Sequence, residues 1–284
     1  MPLLTVRDTV DLDVDTFGDP QCPGLLLIPG AGAPADFWPA DFCGHLASGG
    51  LHVVRYHHRD TGLSTHFDAP YDIEELLLDL MALVHVLGHP SVHLAGHSMG
   101  GYLAQMAMCR FPEAVASATS ISAGSTVSPD LSRELGMSPV ADETWQALMK
   151  NQPTGHLDKD LPGWLESWRF LNGRRPFDTQ AATDYTRTLY RGDPRNAQAA
   201  VNHIHAMTTV PDSLVRDLPS CQCPFLVIHG THDPLVPLDN GEASARLVPH
   251  SRLVRLQGAG HMFFDADTWR EIGRELAGQA AGCI

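Results

Sequence analysis

The stretch Leu94-Ala95-Gly96-His97-Ser98-Met99-Gly100-Gly101 constrains this chain more than any other. The apolar run before it, Val92 to Ala95, reads as a buried strand, and the apolar spacing of Tyr102 to Arg110 after it reads as a helix. A serine on a tight strand-to-helix turn between glycines has the pattern of a nucleophile elbow. The turn forces its central residue into strained backbone angles and presses strand against helix, so side chains at positions 96 and 100 would collide. The pentapeptide alone arises easily by chance in a chain rich in glycine and serine. Its place between strand and helix is what carries the inference.

Partners for Ser98 are expected at the carboxyl ends of later strands, where functional residues of an open α/β sheet gather. Pro224-Phe225-Leu226-Val227-Ile228 reads as one such strand, and Asp233 follows it in His229-Gly230-Thr231-His232-Asp233-Pro234. Asp233 is the candidate acid, with Asp239, further from the strand end, as the fallback. Arg252 to Leu256 reads as the next strand, followed by Gln257-Gly258-Ala259-Gly260-His261, whose histidine is the candidate base. The order Ser98, Asp233, His261 is the one this architecture uses. Two oxyanion donors are then needed. The N–H of Met99 opens the helix, and the N–H of Ala31 lies on Pro29-Gly30-Ala31-Gly32 after the strand Leu25 to Ile28.

The rest of the chain fits one α/β domain with an insertion. Leu51 to Tyr56 reads as a strand. Ile73 to Leu87 reads as an amphipathic helix stopped by Gly88-His89-Pro90, and Ala114 to Ile121 as a further strand. Alternation of strands and helices implies a mostly parallel sheet covered on both faces. From residue 125 to 218 strand patterns vanish, and Trp145, Trp164, Trp168, Phe170, Phe177, Tyr185 and Tyr190 appear among short helical stretches. Residues 1–124 and 219–284 therefore read as the core, and 125–218 as a helical cap. Trp168, Phe170 and Phe177 are the candidate substrate-binding residues, because ligand pockets are mostly apolar and flat rings stack on aromatic side chains.

Composition excludes several classes. With 284 residues, 43% hydrophobic and 18% charged, the chain is an ordinary globular protein, and its net charge of -14 repels nucleic acid and anionic membrane surfaces. The start Met1 to Asp8 lacks the features of a signal peptide, and no apolar run reaches the length of a membrane span. Six scattered cysteines (Cys22, Cys43, Cys109, Cys221, Cys223 and Cys283) suit a reducing cytoplasm better than a disulfide framework. Cys221-Gln222-Cys223, His57-His58 and His203-x-His205 are the nearest approaches to a metal motif, and none has a completing set. No metal or organic cofactor is expected.

The chain resembles the serine-dependent α/β-hydrolases, and among them the aclacinomycin methylesterase type. The resemblance rests on Leu51 to Ser64 with its Arg59-Asp60-Thr61-Gly62 loop, on Ser98-Met99-Gly100, and on Trp168-Arg169-Phe170-Leu171 with Pro176-Phe177-Asp178. It implies a carboxylic-ester hydrolase whose helical cap covers a pocket for a bulky polycyclic methyl ester. The chain departs from that pattern in placing Pro29-Gly30 where many relatives have His-Gly. His57 stands where an acidic residue is usual, Leu63 where a basic one is, and His97 before the nucleophile. The expected small-molecule substrate is thus an ester. Hydrolysis of a lactone, amide or C–C bond, or perhydrolysis, is the alternative on the same triad. A binding module would have no need of all three residues, and an epoxide hydrolase or dehalogenase would need a carboxylate at position 98.

Overall fold

The computed structural model describes residues 3–150, 154–191 and 196–282. Chain order runs β1 (Leu3–Arg7), β2 (Val10–Phe17), β3 (Gly24–Ile28), α1 (Ala40–Ser48), β4 (His52–Tyr56), α2 (Ile73–Leu87), β5 (Val92–His97), α3 (Met99–Arg110) and β6 (Val115–Ile121). Six helices follow: α4 (Pro129–Leu135), α5 (Asp142–Lys150), α6 (Leu157–Leu171), α7 (Thr179–Leu189), α8 (Asn196–Thr208) and α9 (Ser213–Asp217). The sheet resumes with β7 (Phe225–Gly230), α10 (Leu238–Leu247), β8 (Arg252–Leu256) and α11 (Ala266–Ala281).

The eight strands lie in the order β1-β2-β4-β3-β5-β6-β7-β8. From β4 onward every pairing is parallel, and β1 and β2 add an antiparallel edge. β3, β4, β5 and β7 are buried along their whole length, as strands covered on both faces must be. Adjacent residues of β3 show the two faces directly. Leu26 and Ile28 join one apolar core with Leu80 of α2 and Leu103 of α3, while Leu25 and Leu27 join the other with Phe42 of α1 and Ile272 of α11. α2 ends at Gly88 in the left-handed conformation (φ 74°), where a side chain would be strained.

No strand is expected from the sequence before Leu25, yet β2 is there. Its alternation buries Val10, Leu12 and Val14. Between β6 and β7 the described residues form helices, with one isolated bridge, Gly173 to Ala259. The end of that segment is part of the sheet's own packing, since Ala206, Val210, Leu214 and Leu218 belong to the core that covers β3 and β5.

The Arg59-Asp60-Thr61-Gly62 loop is held by polar contacts on every side. The Arg59 guanidinium forms a buried two-point pair with Asp79 of α2, Nε to Oδ2 at 2.6 Å and Nη2 to Oδ1 at 2.8 Å. It also lies over the Phe67 and Tyr71 rings. Asp60, itself at φ 70°, accepts from the Phe67 N–H, the Tyr71 hydroxyl and the Asn202 side chain. The fold also brings together Cys109 and Cys221, distant in sequence, with sulfur atoms 2.8 Å apart as free thiols. Cys283 lies outside the described residues. Among the described residues, no helix is long and apolar enough to cross a membrane.

Candidate active site

Ser98 sits between β5 and α3 with φ 52° and ψ −118°, a conformation that costs a residue with a side chain about 1–3 kcal/mol. The neighbours explain why the turn closes. A Cβ on Gly96 would lie 1.9 Å from the Gly100 carbonyl oxygen, and one on Gly100 would lie 2.4 Å from the Ile28 carbonyl oxygen. Only bare backbone fits at either position. The Ser98 N–H is tied to the Ile121 carbonyl at 2.9 Å, which fixes the serine against β6.

Asp233 and His261 arrive from the ends of β7 and β8 and meet. Nδ1 of His261 donates to Asp233 Oδ2 at 2.8 Å, with both side chains buried. The other carboxylate oxygen accepts the N–H groups of Leu235 and Val236 at 2.9 and 2.8 Å. Burial opposes ionisation of Asp233, but the His261 imidazole and these donors outweigh it and hold the carboxyl below its ordinary range. A proton on Nδ1 leaves Nε2 of His261 as the basic nitrogen. Asp239 is engaged elsewhere, accepting from the N–H and hydroxyl of Ser138.

The loop after β3 runs along Ser98. A Cβ on Gly30 would come within 3.3 Å of Ser98 Cβ, so the segment carrying the Ala31 N–H abuts the serine. Met99 is the first residue of α3, where an N–H has no intrahelical acceptor. Among the described residues neither the Ala31 nor the Met99 N–H finds an acceptor in the chain.

Two histidines with no assigned role in the sequence pattern support this geometry. His97 donates from Nε2 to the His261 carbonyl at 2.8 Å and stacks on Phe37 at 4.2 Å. Burial pushes its pKa down to about 3, so the ring stays neutral. His58 donates from Nε2 to the Pro29 carbonyl at 3.1 Å. His203 and His205, considered together for metal, differ in burial. His203 is fully buried while His205 is exposed, and among the described residues no three His, Cys, Asp or Glu side chains converge as a metal site.

The three aromatics expected to bind substrate lie in different settings. Trp168 is buried, stacked on Trp164 at 4.8 Å, with its indole N–H on Thr186. Phe177 lies beneath the Arg169 guanidinium and against Phe264 at 5.6 Å. Phe170 is 39% exposed. A cavity of about 410 Å³ shares Phe263 and Phe264 with the histidine loop, but neither Ser98 nor His261 lines it.

Comparison with known proteins decides the family. The alpha/beta hydrolase fold family matches residues 23–268. The chain belongs to that family. Among curated relatives it is similar to rhodomycin D methylesterase DauP of Streptomyces sp. (strain C5), 29% identical over 91% of each chain. It is also similar to a putative carbamate hydrolase, RutD, of Pseudomonas savastanoi pv. phaseolicola, 28% identical over 85% of this chain and 87% of that one. Among solved structures, a carboxylesterase from Nitrososphaera gargenis superposes with a TM-score of 0.78 at 20% identity, covering 99% of this chain and 98% of the other. The family and its full-length relatives make this alpha/beta hydrolase a hydrolase of the carboxylic-ester type.

Proposed function

We propose that this alpha/beta hydrolase cleaves esters through an acyl-enzyme formed on Ser98. The observation that carries the reading is the buried 2.8 Å contact between His261 and Asp233, at the ends of β8 and β7, together with a serine held at φ 52° at the end of β5. A serine hydroxyl is a weak nucleophile at neutral pH, so His261 takes its proton through Nε2 as Oγ attacks the ester carbonyl. Asp233 fixes the tautomer and stabilises the imidazolium that forms. The N–H groups of Ala31 and Met99 receive the developing oxyanion. They are preorganised, so little reorganisation opposes their action. His261 returns the proton to the leaving alcohol, then activates water to release the acid. No step in this sequence calls for a metal or organic cofactor.

For the substrate we infer a methyl ester on a bulky, flat aromatic acid, the reading favoured by the likeness to the rhodomycin D methylesterases. Trp168 and Phe177 both pack on Phe264, three residues beyond His261, while Phe170 presents an apolar ring at the surface. The test is kcat/KM for polycyclic methyl esters against short-chain and long-chain fatty esters, with lactones in the same panel. Preference for the polycyclic methyl ester is expected. Preference for long acyl chains would remove the polycyclic methyl-ester reading, and preference for lactones would move the reaction to a ring-opening hydrolysis.

A further inference from the structure

We propose that His203, on cap helix α8, is the positioning residue that sets the oxyanion loop, and that it works through the unprotonated Nδ1 of its imidazole. Nδ1 accepts the Gly32 N–H at 2.8 Å, one residue beyond the Ala31 donor. Nε2 donates to the Arg59 carbonyl at 3.0 Å. That second bond places the ring proton on Nε2 and leaves Nδ1 as an acceptor, so the tautomer is dictated by the loop beneath. The ring is wholly buried.

The rest of the loop shows why one hydrogen bond matters here. Its backbone is held at three points by three buried imidazoles. His58 donates to the Pro29 carbonyl, His203 accepts from Gly32, and His57 Nδ1 accepts the Ala35 N–H at 3.3 Å. The His58 and His203 contacts bracket the Gly30–Ala31 peptide. Gly32 has φ 66°, and a Cβ there would fall 3.1 Å from Ala200 Cβ, so α8 lies directly on the loop. The helix is anchored in turn, since Asn202 donates to Asp60 Oδ2 at 2.9 Å and to the Phe67 carbonyl at 3.2 Å. Without an acceptor at Nδ1, the Gly32 N–H would be left unpaired against α8, and the Gly30–Ala31 peptide would keep only the bond from the Ala33 N–H to the Gly30 carbonyl at 3.2 Å and the His58 contact to Pro29, a looser hold on the Ala31 N–H. Burial, opposed in part by the Arg59 carbonyl, lowers the His203 pKa to about 4, in keeping with an acceptor that stays neutral.

The proposal rests on the Ser98 esterase reading, and three substitutions test it separately. His203→Asn puts a carbonyl oxygen near the position of Nδ1, whereas His203→Gln reaches toward Arg59 and His203→Leu offers no acceptor. Kinetics with 4-nitrophenyl acetate, alongside wild type and Ser98→Ala, are the readout, with thermal unfolding run on every variant. Loss of an oxyanion donor costs about 10²–10³ in kcat, so a misaligned one is expected to cost roughly 10- to 100-fold. The expected result is that loss in kcat for Leu and Gln with KM changed less than about threefold, and recovery of most of it in Asn. Wild-type kcat in the Leu and Gln variants would overturn the proposal, as would equal losses in all three that track falling stability. If wild type fails to turn over esters, or Ser98→Ala turns them over normally, the esterase reading fails instead.

Discussion

The backbone N–H of His261 donates to the Leu171 carbonyl, the last residue of α6, at 2.7 Å. The same carbonyl accepts from Met262, and the next one, on Asn172, accepts from Gly260. The helical segment between β6 and β7 therefore holds the loop around His261 through its main chain. The end of α6 bonds to the loop that carries His261, and α8 packs on the loop that carries Ala31.

That contact makes Asn172 a sensitive position. Its buried side chain accepts the Phe264 N–H and donates to the carbonyls of Arg175 and Pro176. Asn172→Ala leaves these groups unpaired, at about 1–3 kcal/mol for a buried one. Denaturant titration should show a loss of that order, with kcat falling as the His261 loop loosens. Wild-type stability and rate would show that the Leu171 contacts suffice.

Asp233→Asn should cripple turnover by roughly 10⁴-fold, because an amide favours the wrong tautomer of His261. Asp239→Asn should leave kcat near wild type, since its carboxylate serves Ser138. Steady-state kinetics of the two variants, side by side, check the assignment. A larger effect from Asp239 would reverse it.

Asp79→Asn should destabilise the fold by about 3–5 kcal/mol, since it strips the buried Arg59 guanidinium of its main counter-charge. Urea unfolding measures this directly. A change under about 1 kcal/mol would mean that Glu75, 3.2 Å from the same guanidinium, compensates.

Three histidines predict acid sensitivity. Burial first of all lowers His58 and His97 to about 3 and His203 to about 4. In the unfolded chain each returns to about 6.5, so between those limits the unfolded state binds more protons and stability must fall as pH falls. Each such group contributes a slope of about 1.4 kcal/mol per pH unit within that window. Unfolding free energies at pH 7, 6 and 5 should decline with growing slope. A flat profile would mean that these rings are not neutral and buried in the folded state.

Much of this was legible in sequence because it is local. Gly96, Ser98 and Gly100 announce the elbow within five residues, and Asp233 and His261 follow strands that apolar runs reveal. β2 carried a readable period of two in Val10-Asp11-Leu12-Asp13-Val14, and its buried Asp13 shows why acidic residues there do not signal an exposed edge. His203 was not legible as a positioning group. Its partners Gly32 and Arg59 are 171 and 144 residues away, and a His-x-His spacing suggests metal until the fold buries one ring and exposes the other. The same holds for Leu171, which acts through a carbonyl that any residue would supply.

The most direct measurement is the mass of the protein after reaction with a fluorophosphonate, followed by peptide mapping. One adduct is expected, on Ser98, formed in step with loss of ester hydrolysis. It should be absent in Ser98→Ala and formed much more slowly in Asp233→Asn. An adduct on another residue, or full ester turnover by Ser98→Ala with an intact fold, would contradict that expectation.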